Sequence, residues 1–344
     1  MESEADLGDG LLSSTIGCRR RSASVSDDYS VQKTNDDATE SKYAAIQLKY
    51  WEDPFIDHFI HGCNDMPHRR DPEISRGYWA RTAAVFSIVE QFVEKVGPSA
   101  QIVSLGAGFD TLYWRLKQKG CNFGRYIEVD FASVTAKKIR LLRNPHKTPD
   151  LASFFSEKLA ESHHTDLHAG DYHIVASDLR QLKELETKLF TTGLNKAEPL
   201  LVIAECVFVY MTVAQSTELL KFFTSNFQNV SVINYEQVNM TDKFSQIMTN
   251  NLNSRGIVLP GITACENLET QKQRFLDSGF DYVHVWTMDK IYREFLDKIE
   301  VARIEKIEFL DEKELLSQLL DHYCIVNAVK EANSKLDFKN ITPK

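Results

Sequence analysis

The sequence predicts an α/β protein built on a parallel, doubly wound sheet. Short apolar runs alternate with longer helical stretches, and near-continuous apolar runs are typical of parallel strands that are covered on both faces. The first run enters a turn with two glycines, and the second run ends in an acidic residue. The five central runs are QIVSLGAG, YIEVD, YHIVASD, LLVIAECVFVYM and SVINYEQV. Because the stretches between them are long enough for crossover helices, we expect consecutive strands to run parallel.

Two helices are predicted before the sheet, over 43–59 and 74–96. In the second, apolar residues recur on one side at helical spacing, and Gly97 with Pro98 ends the pattern. These helices form a predicted N-terminal cap over 42–97. The preceding residues, 1–41, are rich in Ser, Asp and Glu and have no helical or strand period, which predicts a disordered tail.

After the central runs, further strands are predicted at YVHVWTMD, VARIEKIEFLD and HYCIVNAVK. The segments near 141–170 and 240–267 have a mixed character and are predicted to be insertions in the sheet domain. We therefore expect one domain over 42–332 and a short C-terminal tail over 333–344.

Composition and charge exclude several classes of protein. The 344 residues include 40 Lys and Arg against 49 Asp and Glu, a net charge of −9, so the basic field that attracts nucleic acid is absent. No apolar run approaches the ~18 residues of a membrane span, and the acidic N-terminus differs from a secretory signal. The six cysteines lie far apart without metal-ligand spacing, so no metal site is expected. These features predict a cytoplasmic protein with reduced thiols.

A glycine-containing turn follows the first strand. Gly106 and Gly108 let the backbone approach a ligand closely at the start of the next helix. Thr111 stands where a GxGxxG motif needs its third glycine, so the dinucleotide fingerprint is incomplete. Asp130 ends the second strand, where an acid accepts hydrogen bonds from ribose hydroxyls. This pair favours an adenosyl ligand without a pyrophosphate; the alternative is a tight turn and a solvated aspartate.

Two further acids stand at strand ends. Asp178 follows the third strand, and Glu205 interrupts the fourth apolar run. Ligands of doubly wound sheets lie outside the carboxyl ends of the strands, so these acids are expected to share a crevice with Gly106 and Asp130. A carboxylate inside an apolar run is costly to bury alone. We therefore interpret Glu205 as a ligand-binding residue, with a salt-bridged core residue as the alternative.

Five blocks of the chain resemble the motifs of eukaryotic leucine carboxyl methyltransferases. In chain order they are PEISRGYWAR, SLGAGFDTLYWRL, YIEVDF, LLVIAECVFVYM and INYEQVNMTDKFSQIM. The resemblance spans about residues 42–330, and INYEQVNM is a block that generic methyltransferases lack. Members of that family methylate the C-terminal leucine of the protein phosphatase 2A catalytic subunit.

The resemblance implies a class I S-adenosylmethionine-dependent methyltransferase fold. Its parts would be a Rossmann-like seven-stranded sheet, an N-terminal helical cap and insertions that form the substrate cleft. By matching motif positions, Gly106 would lie under the methionine part of S-adenosylmethionine, and Asp130 would bind the ribose. Asp178 and Leu179 would hold the adenine.

The same resemblance implies the residues around the reacting groups. Glu205 would hold the methionine amino group, and Arg81 would pair with the cofactor carboxylate, with Lys42 assisting. Arg81 and Tyr210 are the predicted catalytic residues. Tyr210 would orient the substrate carboxylate, or it is an aromatic residue that caps the core strand.

The expected reaction explains these residue types. An α-carboxylate has a pKa of ~3.3–3.7 and is ionised at neutral pH, so methyl transfer to it needs no general base. Positioning and a water-poor cleft suffice, and arginine supplies a planar fork for carboxylates. The expected partner is the phosphatase tail bound by a monomer, with neither nucleic acid nor membrane. Alternatives are a related tRNA wybutosine-type carboxyl methyltransferase and a non-catalytic scaffold that binds cofactor and phosphatase.

Overall fold

The computed structural model describes residues 23–60, 69–144, 147–333 and 335–344, with side chains from residue 28 onward. Its strands are β1 (Gln101–Leu105), β2 (Arg125–Asp130), β3 (Ala160–Ser162), β4 (Asp166–Ala169), β5 (Tyr172–Ala176), β6 (Leu200–Glu205), β7 (Asn229–Gln237), β8 (Tyr282–Thr287) and β9 (Tyr323–Glu331). Its α-helices are α1 (Ala23–Gln47), α2 (Pro72–Val96), α3 (Leu112–Gln118), α4 (Ala132–Leu142), α5 (Leu182–Thr191), α6 (Val213–Asn226), α7 (Lys243–Ser254), α8 (Leu268–Leu276), α9 (Met288–Lys290), α10 (Lys298–Ile304) and α11 (Lys313–Asp321).

The strands form one sheet in the order β3-β4-β5-β2-β1-β6-β7-β9-β8. The five central strands, β5-β2-β1-β6-β7, pair in parallel. Strand β9 pairs antiparallel with β7 and β8. Seven strands therefore make the predicted doubly wound sheet. The segment 141–170 adds β3 and β4 as an antiparallel extension of the β5 edge.

Apolar layers cover both faces of the sheet. All five residues of β1 are buried, and neighbours in the strand point to opposite faces. Ile102 belongs to the cluster that contains apolar residues of α2, α3 and α4, whereas Val103 belongs to the cluster with α5, α6 and α8. The chain order of the strands reverses between β1 and β6. This switch point opens a crevice at the carboxyl ends of the strands.

Helix α2 confirms the predicted helix over 74–96 and begins slightly earlier. Pro72 occupies its first turn, where the missing N–H costs nothing, and Gly97 ends the helix at φ +70°. The helix predicted over 43–59 was wrong beyond Gln47, where α1 ends. Lys49 has φ +67°, and only a 3₁₀ turn follows at Ile56–His58.

The prediction of a disordered tail over 1–41 was wrong for residues 23–41, which belong to α1. Residues 1–22 lie outside the described part. Helix α1 has a polar sequence, and polar contacts with distant segments hold it. Asn35 Oδ1 accepts from Phe109 N at 2.8 Å, and Lys137 Nζ lies 3.0 Å from Asp36 Oδ1. A search for apolar periodicity overlooks a helix held in this way.

Two predictions at the C-terminal end of the chain were also wrong. VARIEKIEFLD begins in helix α10, because Asp297 Oδ1 caps the helix by accepting from the backbone N–H of Ile299 and of Glu300. The 333–344 segment packs on the domain rather than forming a tail. Phe338 and Ile341 are buried, and Asn327 Nδ2 donates to Ile341 O at 3.1 Å.

Candidate active site

A cavity of about 430 Å³ lies at the carboxyl ends of the central strands, under α1. The sequence-predicted site residues all line it: Lys42, Arg81, Gly106, Asp130, Asp178, Leu179, Glu205 and Tyr210. Within the part of the chain that the structure describes, no group of three or more His, Cys, Asp and Glu side chains could hold a metal ion. The predicted residues that line the cavity come from α1, from α2 and from the ends of four strands.

The turn after β1 requires glycine at two positions. Gly106 and Gly108 have φ of +58° and +52°, a region that L side chains rarely adopt. A Cβ atom on Gly106 would lie 2.8 Å from Val207 Cγ2, and one on Gly108 would lie 2.3 Å from Asn35 Oδ1. Glycine is therefore needed at both positions, by the backbone conformation and by the close packing of Val207 and Asn35, and the bare backbone of the turn lines the cavity.

Asp130 is fixed by two backbone donors. Gly108 N donates to its Oδ2 and Phe131 N donates to its Oδ1, both at 2.7 Å. Burial raises the pKa of Asp130, and the two N–H groups oppose that shift. Each carboxylate oxygen carries two lone pairs, so the side chain can still accept two hydroxyl donors from the cavity. Its position suits a ribose.

Asp178 lies at the β5 end of the cavity in a cluster of charges. Arg180 donates to both oxygens of its carboxylate, from Nε to Oδ1 at 2.8 Å and from Nη2 to Oδ2 at 2.7 Å. Arg180 Nη2 also donates to Asp28 Oδ2 of α1 at 2.8 Å. Burial would raise the pKa of Asp178, but the hydrogen bonds from Arg180 outweigh it and lower the pKa. Asp178 is therefore held ionised beside Leu179.

Arg81 and Glu205 form an ion pair that joins α2 to the end of β6. Arg81 Nε lies 2.5 Å from Glu205 Oε2, and both side chains are mostly buried. The guanidinium also lies 4.4 Å from the centre of the Tyr235 ring. Burial would lower the pKa of Arg81, yet the charge of Glu205 outweighs it and raises the pKa. The Arg81 guanidinium is therefore held charged in the cavity wall.

Lys42 connects α1 to the glycine turn. Its Nζ lies 3.2 Å from Asp110 Oδ2, and Lys138 Nζ donates to Asp110 O at 2.9 Å. Burial would raise the pKa of Asp110, but the charges of Lys42, Lys138 and Arg115 lower it. This side of the cavity therefore combines an ionised carboxylate with cations.

Tyr210 lies on a 3₁₀ turn that a buried charge network holds. The preceding residue, Val209, donates its N–H to Glu236 Oε1 at 2.6 Å. Arg274 Nη1 lies 2.7 Å from the other oxygen of Glu236, and both side chains are almost fully buried. Cys206, two residues before the turn, has φ +57°. Burial raises the pKa of Tyr210, so its hydroxyl remains a donor.

Sequence reasoning missed several residues of the cavity. Apart from Lys42, the cavity residues on α1, such as Asn35, carry no motif or apolar period. Asp110 and Tyr235 stand inside two of the motif blocks, GAGFD and INYEQ, but no sequence rule assigns a contact to either residue. The strand after Glu205 pairs with it, since Tyr235 is its register partner in β7. Pairing of this strand with the one that ends at Glu205 is the feature from which Tyr235 could have been predicted as a cavity residue.

The parallel sheet, the glycine turn after β1, the acid at the end of β2 and the cavity at the switch point together identify a class I S-adenosylmethionine-dependent methyltransferase fold. The profile of the leucine carboxyl methyltransferase family matches residues 30–224. The chain is 50% identical to leucine carboxyl methyltransferase 1 of Caenorhabditis elegans, over 95% of this chain and 99% of that protein. Identity to the Rattus norvegicus protein is 40%, over 92% and 94% of the two chains. The chain belongs to the leucine carboxyl methyltransferase family.

The chain is also similar to a longer protein of different name and to a solved structure. Human tRNA wybutosine-synthesizing protein 4 is 34% identical over 87% of this chain, which corresponds to 44% of that longer protein. A crystal structure described as that of a methyltransferase from Thermobifida fusca has a TM-score of 0.52 at 12% identity, covering 76% of this chain and 84% of that chain. At that identity it supports the fold alone. None of the helices in the described ranges is apolar over a length that would cross a bilayer.

Proposed function

We propose that this enzyme transfers a methyl group from S-adenosylmethionine to the α-carboxylate of a C-terminal leucine, and that its substrate is the protein phosphatase 2A catalytic subunit. The observation that carries the proposal is the cavity itself. It joins a cradle for an adenosyl cofactor to the Arg81–Glu205 pair and to the Tyr210 hydroxyl. Membership in the leucine carboxyl methyltransferase family supports a leucine carboxylate as the acceptor.

The strand order supports the role that we propose for each residue toward the cofactor. Asp178, Asp130, Gly106 and Glu205 follow the successive strands β5, β2, β1 and β6. Neighbouring strands lie ~4.8 Å apart, so the four positions span roughly 14 Å. This length suits an extended cofactor, with adenine at Asp178 and Leu179, ribose at Asp130, and methionine at Gly106.

The methionine end would meet opposite charges. Glu205 would accept from the cofactor's ammonium group, while Arg81 and Lys42 would donate to its carboxylate. Arginine at the first position supplies a planar fork that binds both oxygens of a carboxylate. The bound cofactor supplies a methyl group activated by a positively charged sulfur.

The substrate carboxylate needs to be oriented toward the methyl group, and it needs no general base to activate it. A C-terminal carboxylate is ionised at neutral pH, and its attack on the methyl group neutralises two opposite charges. The mostly apolar walls and the α1 cover would strip water from both groups, which favours that neutralisation. Tyr210, whose hydroxyl stays protonated, would donate to the carboxylate oxygen that does not attack.

The test is transfer of a labelled methyl group from S-adenosylmethionine to purified phosphatase catalytic subunit. We expect one methyl ester per chain and no label on the same protein whose C-terminus is blocked as an amide. Transfer to the amidated protein would contradict the proposed acceptor. Bulk tRNA serves as the alternative substrate, because the wybutosine-type relative shares the domain; methylation of tRNA alone would favour that second activity.

A further inference from the structure

Beside Tyr210 the cavity has an apolar wall, and the residues of this wall have no assigned contact with the cofactor. Met248 and Leu252 lie four residues apart on α7 and line the cavity together with Ile257. Residues four apart share one helix face, so both side chains are presented on the same side of α7. Ile257 is buried and belongs with Val209 to an apolar cluster against which Tyr210, Met248 and Leu252 pack.

The topology puts this wall on the acceptor side. The residues assigned to the cofactor follow β5, β2, β1 and β6, whereas α7 follows β7, the next strand outward. A cofactor extended from Asp178 to Glu205 would occupy the ends of these four strands. Met248 and Leu252 pack in one cluster with Tyr210, the residue proposed to orient the acceptor, so their apolar surface is left for the substrate.

The wall is held firmly at both ends of α7. At the start of the helix, Asp242 Oδ1 accepts from Ser245 N at 2.8 Å. At its end, Gly256 adopts φ +75°, and the chain turns back so that Ile257 N donates to Leu252 O at 3.0 Å. Specificity requires such support, because a wall that yields to the ligand does not discriminate between ligands.

We propose that Met248, Leu252 and Ile257 form the subsite that receives the side chain of the substrate's last residue and selects a branched aliphatic one. The inference rests on the proposed function and adds the residues that read the leucine. The last residue carries its side chain on the carbon next to the reacting carboxylate. A side-chain subsite must therefore adjoin the group that orients the carboxylate, as this wall adjoins Tyr210.

The chemistry of the wall fits an aliphatic occupant. The three side chains carry no hydrogen-bonding N or O atom, so a polar or charged terminal side chain would lose its water without compensation. Met248 and Leu252 are only partly buried, which leaves apolar surface for a ligand to cover. A difference of one methylene in an apolar pocket changes kcat/KM about 10- to 200-fold.

The experiment compares kcat/KM for phosphatase catalytic subunits that end in Leu, Ala or Phe. Three enzymes are used besides the wild type: Met248→Ala, Leu252→Ala and Ile247→Ala. The last is a matched control, because Ile247 lies on the same helix, is 62% exposed and does not line the cavity. Melting temperature and cofactor affinity are measured for each enzyme to confirm that the fold and the cofactor cradle are intact.

We expect Leu252→Ala and Met248→Ala to lower kcat/KM for the Leu-ended protein at least tenfold and to raise the ratio of Phe-ended to Leu-ended transfer. Ile247→Ala should keep the wild-type ratio. Unchanged ratios in both cavity variants, with the wild type active on the Leu-ended protein, would overturn this subsite and leave the proposed function intact. No transfer by the wild type to any of the three proteins would overturn the proposed function, and the subsite with it.

Discussion

The Nε atom of Arg81 lies 2.5 Å from Oε2 of Glu205, which ties helix α2 to the carboxyl end of β6 inside the cavity. Among the described residues, this hydrogen bond uses only Nε of the guanidinium, which leaves Nη1 and Nη2 for a ligand. We expect Arg81→Lys to reduce kcat/KM at least tenfold although the charge is retained, because an ammonium cannot form the planar fork. Steady-state kinetics test this, with the exposed Arg303→Lys as control. Wild-type kinetics in Arg81→Lys would remove Arg81 from the site.

Asp130→Ala should weaken binding of S-adenosylmethionine at least tenfold. The substitution removes two charge-assisted hydrogen bonds to ribose, each worth ~1.5–3 kcal/mol. It also frees the backbone N–H of Gly108 and of Phe131. Titration calorimetry measures the affinity, and the exposed Asp277→Ala provides the control. An unchanged dissociation constant would contradict the ribose assignment.

Gly108→Ala should impair both the docking of α1 and cofactor binding. The new Cβ would lie 2.3 Å from Asn35 Oδ1, and the residue would keep a φ near +52°. The double variant Gly108→Ala/Asn35→Ala removes the clash but leaves the backbone strain. We therefore expect it to recover part of the lost affinity, as a double-mutant cycle by calorimetry can show. Equal losses in the single and double variants would mean that the contact with Asn35 has no role.

Glu236→Gln should lower the free energy of unfolding by about 3–5 kcal/mol, because it leaves Arg274 buried without a counter-ion. Denaturant unfolding measures the change. The double variant Glu236→Gln/Arg274→Met removes both charges and should be less destabilised than Glu236→Gln alone. If the double variant were the weaker of the two, burial of an unpaired charge would not explain the loss.

Methyl transfer should depend little on pH between 6 and 8. Histidine is absent from the described lining of the cavity. Burial raises the pKa of Cys206 to about 12 and raises that of Tyr210, so both groups stay protonated over this range. Arg180 lowers the pKa of Asp178 despite its burial, so that carboxylate stays ionised. Single-turnover rates at saturating cofactor test this, and a tenfold rise would reveal a titrating base.

The sequence predicted the part of the site that follows from sheet topology. Asp130, Asp178 and Glu205 end apolar strands, and the carboxyl ends of parallel strands meet at one edge. Arg81 and Lys42 lie on helices, where no such rule applies, and only the family resemblance singled them out. Residues 301–311 have an apolar pattern that suits either a strand or a helix, and the cap at Asp297 decides between them.

The cover of the cavity could not be predicted for a different reason. Helix α1 is held by groups that are distant in sequence, such as the Lys137 side chain and the backbone N–H of Phe109. Its sequence therefore resembles that of a solvated tail. Such a helix cannot be predicted from its own apolar periodicity, because the surface that it contacts determines whether it forms.

Those contacts have a consequence for exchange of the cofactor. Ion pairs hold α1 over the cavity, and three of them join Asp28 to Arg180, Asp36 to Lys137 and Asp37 to Arg255. Each pair is partly exposed to solvent, where dissolved ions weaken attraction between charges. Rising ionic strength should therefore loosen the helix and speed the release of spent cofactor. Turnover would then respond to salt through the departure of product, while the methyl-transfer step itself remains unchanged.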